Sequence, residues 1–328
     1  MFEPGYLALY RSGELKRRAE TMEARLASCD ICPRKCGVNR LNGELGYCHS
    51  KALPIVETVC QHLGEEPPIS GSKGSGTVFF GNCNLRCVYC QNHQISQNWR
   101  KMQSKEMEYQ ILAEKLLYLQ NDLGCHNINF VSPSHFVPQI LKTLLLAIPM
   151  GLKIPLIYNT SGYDCVDTIK ALDGIINIYL PDLRYASDQI AKRFSQAPDY
   201  VERDRNAIKE IYRQVGNLRT DENDIAWKGL IVRHLILPER LAGSEESLTW
   251  LAREVSPEVS IGLMAQYYPT HHATRFHAIS RGITEAEYNE AVDLLDKLGL
   301  ENGWIQEMSA PENYQPNFER EKHPFNTG

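Results

Sequence analysis

From residue 77 onward, short apolar runs alternate with longer stretches of helical period. The runs 77–80, 128–131, 156–159, 175–180, 230–237 and 260–266 are rich in Val, Ile, Leu and aromatic residues, the composition of buried strands. Between them, apolar positions recur every three to four residues over 105–119, 138–147, 165–171, 200–215, 247–253 and 283–298, which predicts helices. In the last of these Thr284 reads as the cap, with Glu287 three residues on completing a capping box. Strands and helices taking turns predict parallel βαβ units with right-handed crossovers. The result is either a barrel or an open doubly wound sheet. Six strands are too few to close an eight-stranded barrel, so the expected fold class is α/β, a partial (β/α)6 TIM-like barrel.

Ahead of residue 77 the pattern changes. Residues 14–26 read as a charged amphipathic helix, and 29–76 are rich in turns and cysteine, ending in Pro67-Pro68 and the glycine-dense 71–76. So short a segment, with so little apolar period, would struggle to build a core of its own. A bound metal would staple it. The expected organisation is a helix and cysteine-rich metal-binding segment over 1–76, the barrel over 77–310, and a C-terminal tail over 311–328 that wraps over the surface or frays.

Composition narrows the function classes. The 43% hydrophobic and 23% charged content suits a globular chain, and the formal net charge of −5 gives no electrostatic reason to expect nucleic acid or anionic membrane as a partner. No apolar run reaches the roughly 18 residues that span a bilayer, and residues 1–28 lack the apolar core of a signal peptide. The expected localisation is cytoplasmic. Thiols are kept reduced there, so the ten cysteines need an explanation other than disulfides. Seven of them fall in two short clusters, which predicts two metal sites.

The sharper cluster is Gly81-Asn82-Cys83-Asn84-Leu85-Arg86-Cys87-Val88-Tyr89-Cys90-Gln91-Asn92. It follows directly on the first strand, at the carboxyl end of the sheet, where catalytic groups collect. Thiolates hold iron–sulfur clusters, and a four-iron cubane held by three of them keeps one iron free of protein ligands. A structural zinc site wants four ligands and fits this trio poorly. A thioredoxin-type pair at Cys87 and Cys90 leaves Cys83 unexplained.

The Cys-x3-Cys-x2-Cys spacing, with Tyr89 before the last cysteine, resembles the radical S-adenosylmethionine superfamily. Cys-Val-Tyr-Cys-Gln-Asn, Tyr-Leu-Pro-Asp-Leu-Arg-Tyr and Val-Arg-His-Leu-Ile-Leu-Pro are similar to relatives of pyruvate formate-lyase activating enzymes, the PflX-like group. The resemblance implies a [4Fe-4S] cluster on Cys83, Cys87 and Cys90, whose free iron is chelated by S-adenosylmethionine. It further implies reductive cleavage to a 5′-deoxyadenosyl radical, and an electron donor such as flavodoxin or ferredoxin.

It also assigns cofactor-binding positions. The second strand ends in Ser132-Pro133-Ser134 where activating enzymes carry Gly-Gly-Glu, so backbone carbonyls with Ser132 or Ser134 would receive the methionine ammonium. Asn159-Thr160-Ser161-Gly162 is similar to the family's Asp-Thr-Asn-Gly, which places Asn159 and Ser161 beside the ribose. Asp182 and Arg184 resemble Asp-Leu-Lys. In the apolar run 230–237 only one of Arg233 and His234 can face inward. Arg233 is the one expected to meet the cofactor carboxylate. His271 and His272 are candidates for the pocket mouth.

The second cluster is Cys29, Cys32, Cys36 and Cys48. Four thiolates suit structural zinc or a second iron–sulfur cluster, and spacing does not separate the two. Cys60 and His62 are candidate extra ligands. Three functions are compatible with the chain. It is a radical enzyme acting on a protein or peptide as an activase, a radical enzyme acting on an enclosed small molecule, or a zinc-knuckle interaction protein with an inactive barrel. The activase-like motifs favour the first.

Overall fold

The computed structural model describes residues 3–310, 315–320 and 323–325. Its strands are β1 (Val56–His62), β2 (Ser75–Phe80), β3 (Ile128–Val131), β4 (Leu156–Thr160), β5 (Ile178–Pro181), the two-residue β6 (Arg219–Thr220), β7 (Ala226–Leu235), β8 (Ser260–Met264) and β9 (Gly303–Ile305). They form one sheet in the order β1-β2-β3-β4-β5-β7-β8-β9, with β6 paired to β7. From β2 to β9 along this order every pairing is parallel. The expected six βα units are present, followed by one further parallel strand. β1 runs antiparallel on the β2 edge, so part of the segment 1–76 belongs to the same sheet.

Every residue of β2 is buried, as befits a parallel strand covered by helices on one face and by the barrel interior on the other. The outward set, including Tyr158, Tyr179, Leu230 and Val232, joins the main core with helices such as Tyr109–Asn121 and Val137–Ala147. Against Val137–Ala147 packs the amino-terminal helix Glu14–Ala24, with Glu23 paired to Lys142 at 2.5 Å. The expected helix at 200–215 has the bounds Tyr200–Val215, and Thr284 with Glu287 forms the anticipated capping box.

Several boundaries shift by a few residues, and two of the shifts have a clear local cause. The run at 175–180 begins as a strand only at Ile178, because Ile175 and Ile176 donate their N–H groups back to Leu172 in a turn through Gly174. Burial gave them a strand-like composition without strand conformation. β7 starts four residues early, at Ala226, because β6 pairs with its first half.

The inward set is smaller. Ile157, Ile178, Leu180 and Ile231 close on Ile69, which is fully buried. Ile69 sits in the single turn Pro67–Ser70, whose entry is set by the two prolines, and its carbonyl accepts from Asn127 Nδ2 at 2.8 Å. The connection between β1 and β2 thus plugs the barrel from below. The tail covers the side. Phe318 meets Phe79 edge-on at 5.3 Å, Phe325 stacks on His62 at 4.2 Å, and His323 Nε2 donates to the Gln61 carbonyl at 2.8 Å. The rest of the expected tail, 311–314, 321–322 and 326–328, lies outside the described residues.

His234 points away from the interior and is fully buried. Its Nδ1–H donates to the Leu183 carbonyl at 2.7 Å, and its Nε2 accepts from Ser244 Oγ at 2.9 Å, which fixes a neutral ring.

Two outcomes follow for stability. Ile69→Ala should cost about 2–5 kcal/mol by leaving the plug hollow, against less than about 0.5 kcal/mol for the exposed Leu63→Ala; urea unfolding of both compares them. Burial lowers His234 to about 4 from 6.5, so the unfolded chain binds the extra proton first. Stability should therefore fall as pH drops from about 6.5 to about 4, His234 accounting for roughly 3 kcal/mol of the loss. His234→Gln should remove that share, read as a smaller shift in urea midpoint between the two pH values.

Candidate active site

At the carboxyl ends of β2, β3 and β4 the chain turns through left-handed residues, Asn82, Ser132 and Gly162. Gly162 has no alternative, since a Cβ there would lie 2.1 Å from Asp204 Oδ1 and 2.6 Å from the Asp182 carbonyl. Ser132 pays the conformational cost of a side chain in this region, and its N–H is fixed by the Asn159 carbonyl at 2.9 Å. These turns aim the strand ends into a cavity of about 560 Å³. Cys83, Cys87, Tyr89, Cys90, Ser132, Asn159, Ser161, Asp182, Arg184 and Arg233, all singled out from the sequence, line it; Ser134, the alternative to Ser132, does not, being buried against Thr160 Oγ1 at 3.1 Å.

The cysteine loop is anchored from outside by the helix Asp188–Ser195. Its last residues accept from the loop backbone, Phe194 O from Val88 N–H at 2.8 Å and Ser195 O from Arg86 N–H at 3.1 Å. Each sulfur has a donor beside it. Cys87 Sγ receives Arg184 Nη1 at 2.9 Å and Ser195 Oγ at 3.0 Å, Cys90 Sγ lies 3.2 Å from Ser96 Oγ, and Cys83 Sγ is 3.4 Å from Leu85 N–H. Tyr89 bonds to Tyr185, which reaches Ser195 Oγ at 2.7 Å. Burial, with Cys87 close by, pushes the Cys90 thiol up to about 12. Without a metal it would stay protonated, a poor nucleophile. Three sulfurs facing one hollow, each with a hydrogen-bond donor, fit a cluster, whose potential such donors tune.

Arg184 carries two partners on one guanidinium, Cys87 and Asp182. Burial works against its charge, but these two neighbours outweigh it and raise it above the ordinary range. Arg233 faces inward, as alternation requires, but does not stand free. Its Nε and Nη2 grip Glu66 at 2.7 and 2.6 Å, and Nη2 also meets Glu65. Of its three nitrogens, Nη1 alone is left for a cofactor carboxylate.

Glu65 and Glu66 went unnoticed in the sequence because nothing local marks two acids before a proline pair as part of a site. Asp204 was missed too. It is fully buried beneath Gly162, and among the described residues neither of its oxygens has a hydrogen-bond partner. Burial and the nearby Asp182 and Asp164 push its carboxyl well up. His271 and His272 do not line the cavity; they stack on each other and on His93, and His272 N–H braces the Val88 carbonyl from outside.

Cys29, Cys32, Cys36 and Cys48 line a second, much smaller hollow, of about 10 Å³. Cys60 and His62 are not part of it. Among the described residues no three His, Cys, Asp or Glu side chains stand as ligands of a single bare ion. Arg40 lies against this hollow, 1% exposed. It donates to the carbonyls of Lys51 and His135, and among the described residues its one side-chain acceptor is Cys29 Sγ at 3.9 Å. Among the described residues, no helix is long and apolar enough to cross a membrane.

The chain is 29% identical over 286 residues to the uncharacterized protein MJ0674 of Methanocaldococcus jannaschii, covering 84% of this chain and 76% of that one. It is 25% identical over 171 residues to the uncharacterized protein MJ0808 of the same organism, covering 47% and 48%. Among solved structures it is similar to methylornithine synthase (PylB), with a TM-score of 0.43 and 12% identity over 74% of this chain and 73% of that one. Similarity to HydG, a maturase of the [FeFe]-hydrogenase, has a TM-score of 0.45 and 12% identity over 68% and 48%. Residues 77–218 match the Radical SAM superfamily, which implies a [4Fe-4S] cluster and S-adenosylmethionine. The matched segment is the part of the barrel that carries the cysteine trio.

Proposed function

We propose that Cys83, Cys87 and Cys90 hold the cluster, that S-adenosylmethionine lies across the strand ends, and that the hydrogen donor is a small molecule enclosed with it. The reduced cluster would supply the electron that breaks the sulfonium bond. The chain's own residues do the rest. Arg184 and Ser195 offset negative charge at Cys87, Ser132, Asn159 and Ser161 offer polar groups to the cofactor, and Arg233 Nη1 offers a donor to its carboxylate.

One observation carries the choice of a small substrate. Trp304, Ile305, Pro316 and Phe325, from β9 and the tail, line the cavity as well, and the tail is pinned to β1 and β2 by the aromatic contacts described above. A size of about 560 Å³ falls in the range of small-molecule sites. The activase reading, which the motifs favoured, requires a protein segment to reach the cysteines and hence the tail to lift. A one-electron donor such as flavodoxin or ferredoxin is the partner this chemistry needs.

The four-cysteine hollow is proposed as a second, structural metal site. A fully buried guanidinium without a carboxylate is costly, and metal-bound thiolates beside Arg40 would supply the missing negative charge.

Anaerobic, iron-loaded protein given reductant should convert S-adenosylmethionine to 5′-deoxyadenosine, and Cys87→Ala should abolish the conversion together with the cluster's visible absorption. With deuterium-labelled candidates, label should enter 5′-deoxyadenosine from a low-molecular-mass extract and not from its protein fraction. Transfer from the protein fraction alone would restore the activase reading. Iron, zinc and sulfide analysis of Cys87→Ala reads the second site separately. Metal remaining there and lost on Cys32→Ala supports it.

A further inference from the structure

The cavity has a floor with a surplus of negative charge. Glu65 and Glu66 enter it side by side, with side chains only 9% and 10% exposed, and share a single cation, Arg233, itself 12% exposed. Glu66 uses both oxygens on Arg233. Glu65 has one oxygen on Arg233 and the other on Asn129 Nδ2 at 2.8 Å. The fold makes deliberate room for this: a Cβ on Gly262 would lie 3.0 Å from Glu66 Oε1. Burial opposes ionisation of Glu65, yet the Arg233 guanidinium beside it outweighs this and keeps its carboxyl below the usual range. Glu65 is therefore anionic at neutral pH, and it shares its one guanidinium with Glu66, which meets that group through both oxygens.

Among the described residues, no other cation lining the cavity is free to balance the pair. Besides Arg233, the charged groups lining the cavity are Asp182, Arg184 and Glu307. Arg184 is committed to Asp182 and Cys87. His62 is held neutral by burial, which lowers its pKa. A buried carboxylate in excess of its partners is costly in a low-dielectric site, and the cost is recovered when a ligand brings the missing positive charge. An ammonium is the matching group, since its N–H donors suit carboxylate acceptors. Asn129, fully buried and bonded to Glu65, does not line the cavity; its Oδ1, without a partner among the described residues, lies behind Glu65.

We propose that Glu65 and Glu66, with Asn129 bracing Glu65 from behind, form a receptor for an alkylammonium group presented inside the cavity. The inference rests on the small-molecule reading above and gives that site a chemical class. The ammonium belongs either to the substrate, which is then an amine, or to the amino-acid end of S-adenosylmethionine.

The full-length, cluster-loaded protein decides by calorimetric titration under anaerobic conditions. One arm compares S-adenosylmethionine with its deamino analogue. The other, with S-adenosylmethionine bound, compares 1,4-diaminobutane with butyrate. In the wild type at least one arm should favour the ammonium-bearing partner by about tenfold or more, and the responding arm names the source. Glu65→Gln, which leaves the Glu66–Arg233 pair in place, should erase that preference, as should Glu66→Gln. Equal affinities in both arms, or a preference that survives Glu65→Gln, would overturn the proposal. Failure of the radical reading registers separately, as missing iron and missing 5′-deoxyadenosine in the same preparation.

Discussion

A parallel sheet of this size curls but does not close, and the rest of the molecule answers to that constraint. An unclosed barrel has two free edges and an inward face too wide to fill with its own side chains. Here β1 covers one edge by antiparallel pairing, and β9 extends the other. Ile69 fills the lower interior, while the tail leans across from β9 to Phe79 and His62. What is left unfilled lies at the carboxyl ends of the strands. The cavity is thus the remainder of an incomplete closure, and its walls come from segments outside the barrel repeat.

Buried charge is handled inside that remainder by sharing. Arg184 shows why arginine stands where the resembling motif has lysine. A planar fork reaches Asp182 with one terminal nitrogen and Cys87 with the other, whereas a single ammonium would have to satisfy both from one point. Arg233 divides itself between Glu65 and Glu66 in the same manner. At the second hollow Arg40 has only carbonyls and a cysteine sulfur. In each place a cation is set against sulfur or carboxylate rather than against water, so deletion of one member leaves a charge stranded and reads out more than the pair itself was worth.

Much of this was legible from local pattern. β2 to β5, β7 and β8 are apolar because they are buried on both faces, and composition reveals that directly. Alternation said that only one of Arg233 and His234 can face inward, and the favoured one, Arg233, lines the cavity. The cysteine spacing located the cavity before any distance was known. The elements that escaped detection take their meaning from distant partners. β1 is a half-buried edge strand in a turn-rich stretch, visible as a strand only through β2. The helix Asp188–Ser195 matters because Ser195 lies 108 residues in sequence from the Cys87 it bonds. Glu65 and Glu66 acquire a role only through Arg233, more than 160 residues away. No periodicity encodes such a meeting.

The motifs and the walls of the cavity therefore speak to different halves of the chemistry. The cysteine trio, the Asn159–Gly162 turn and the Asp182–Arg184 pair cluster where a cofactor would lie, and resemblance through them carries information about the cofactor alone. The substrate would meet Glu65, Glu66, Trp304 and the tail, none of which belongs to a shared motif. An activase-like signature can persist in the first set while the second set is rebuilt for an enclosed ligand, because the two sets sit on different segments and share only Arg233. One edge of the Arg233 guanidinium is held by the floor carboxylates through Nε and Nη2. On the proposed reading, whatever the floor binds would shift the charge that Arg233 presents to the cofactor, so substrate recognition and cofactor placement would be coupled through a single side chain.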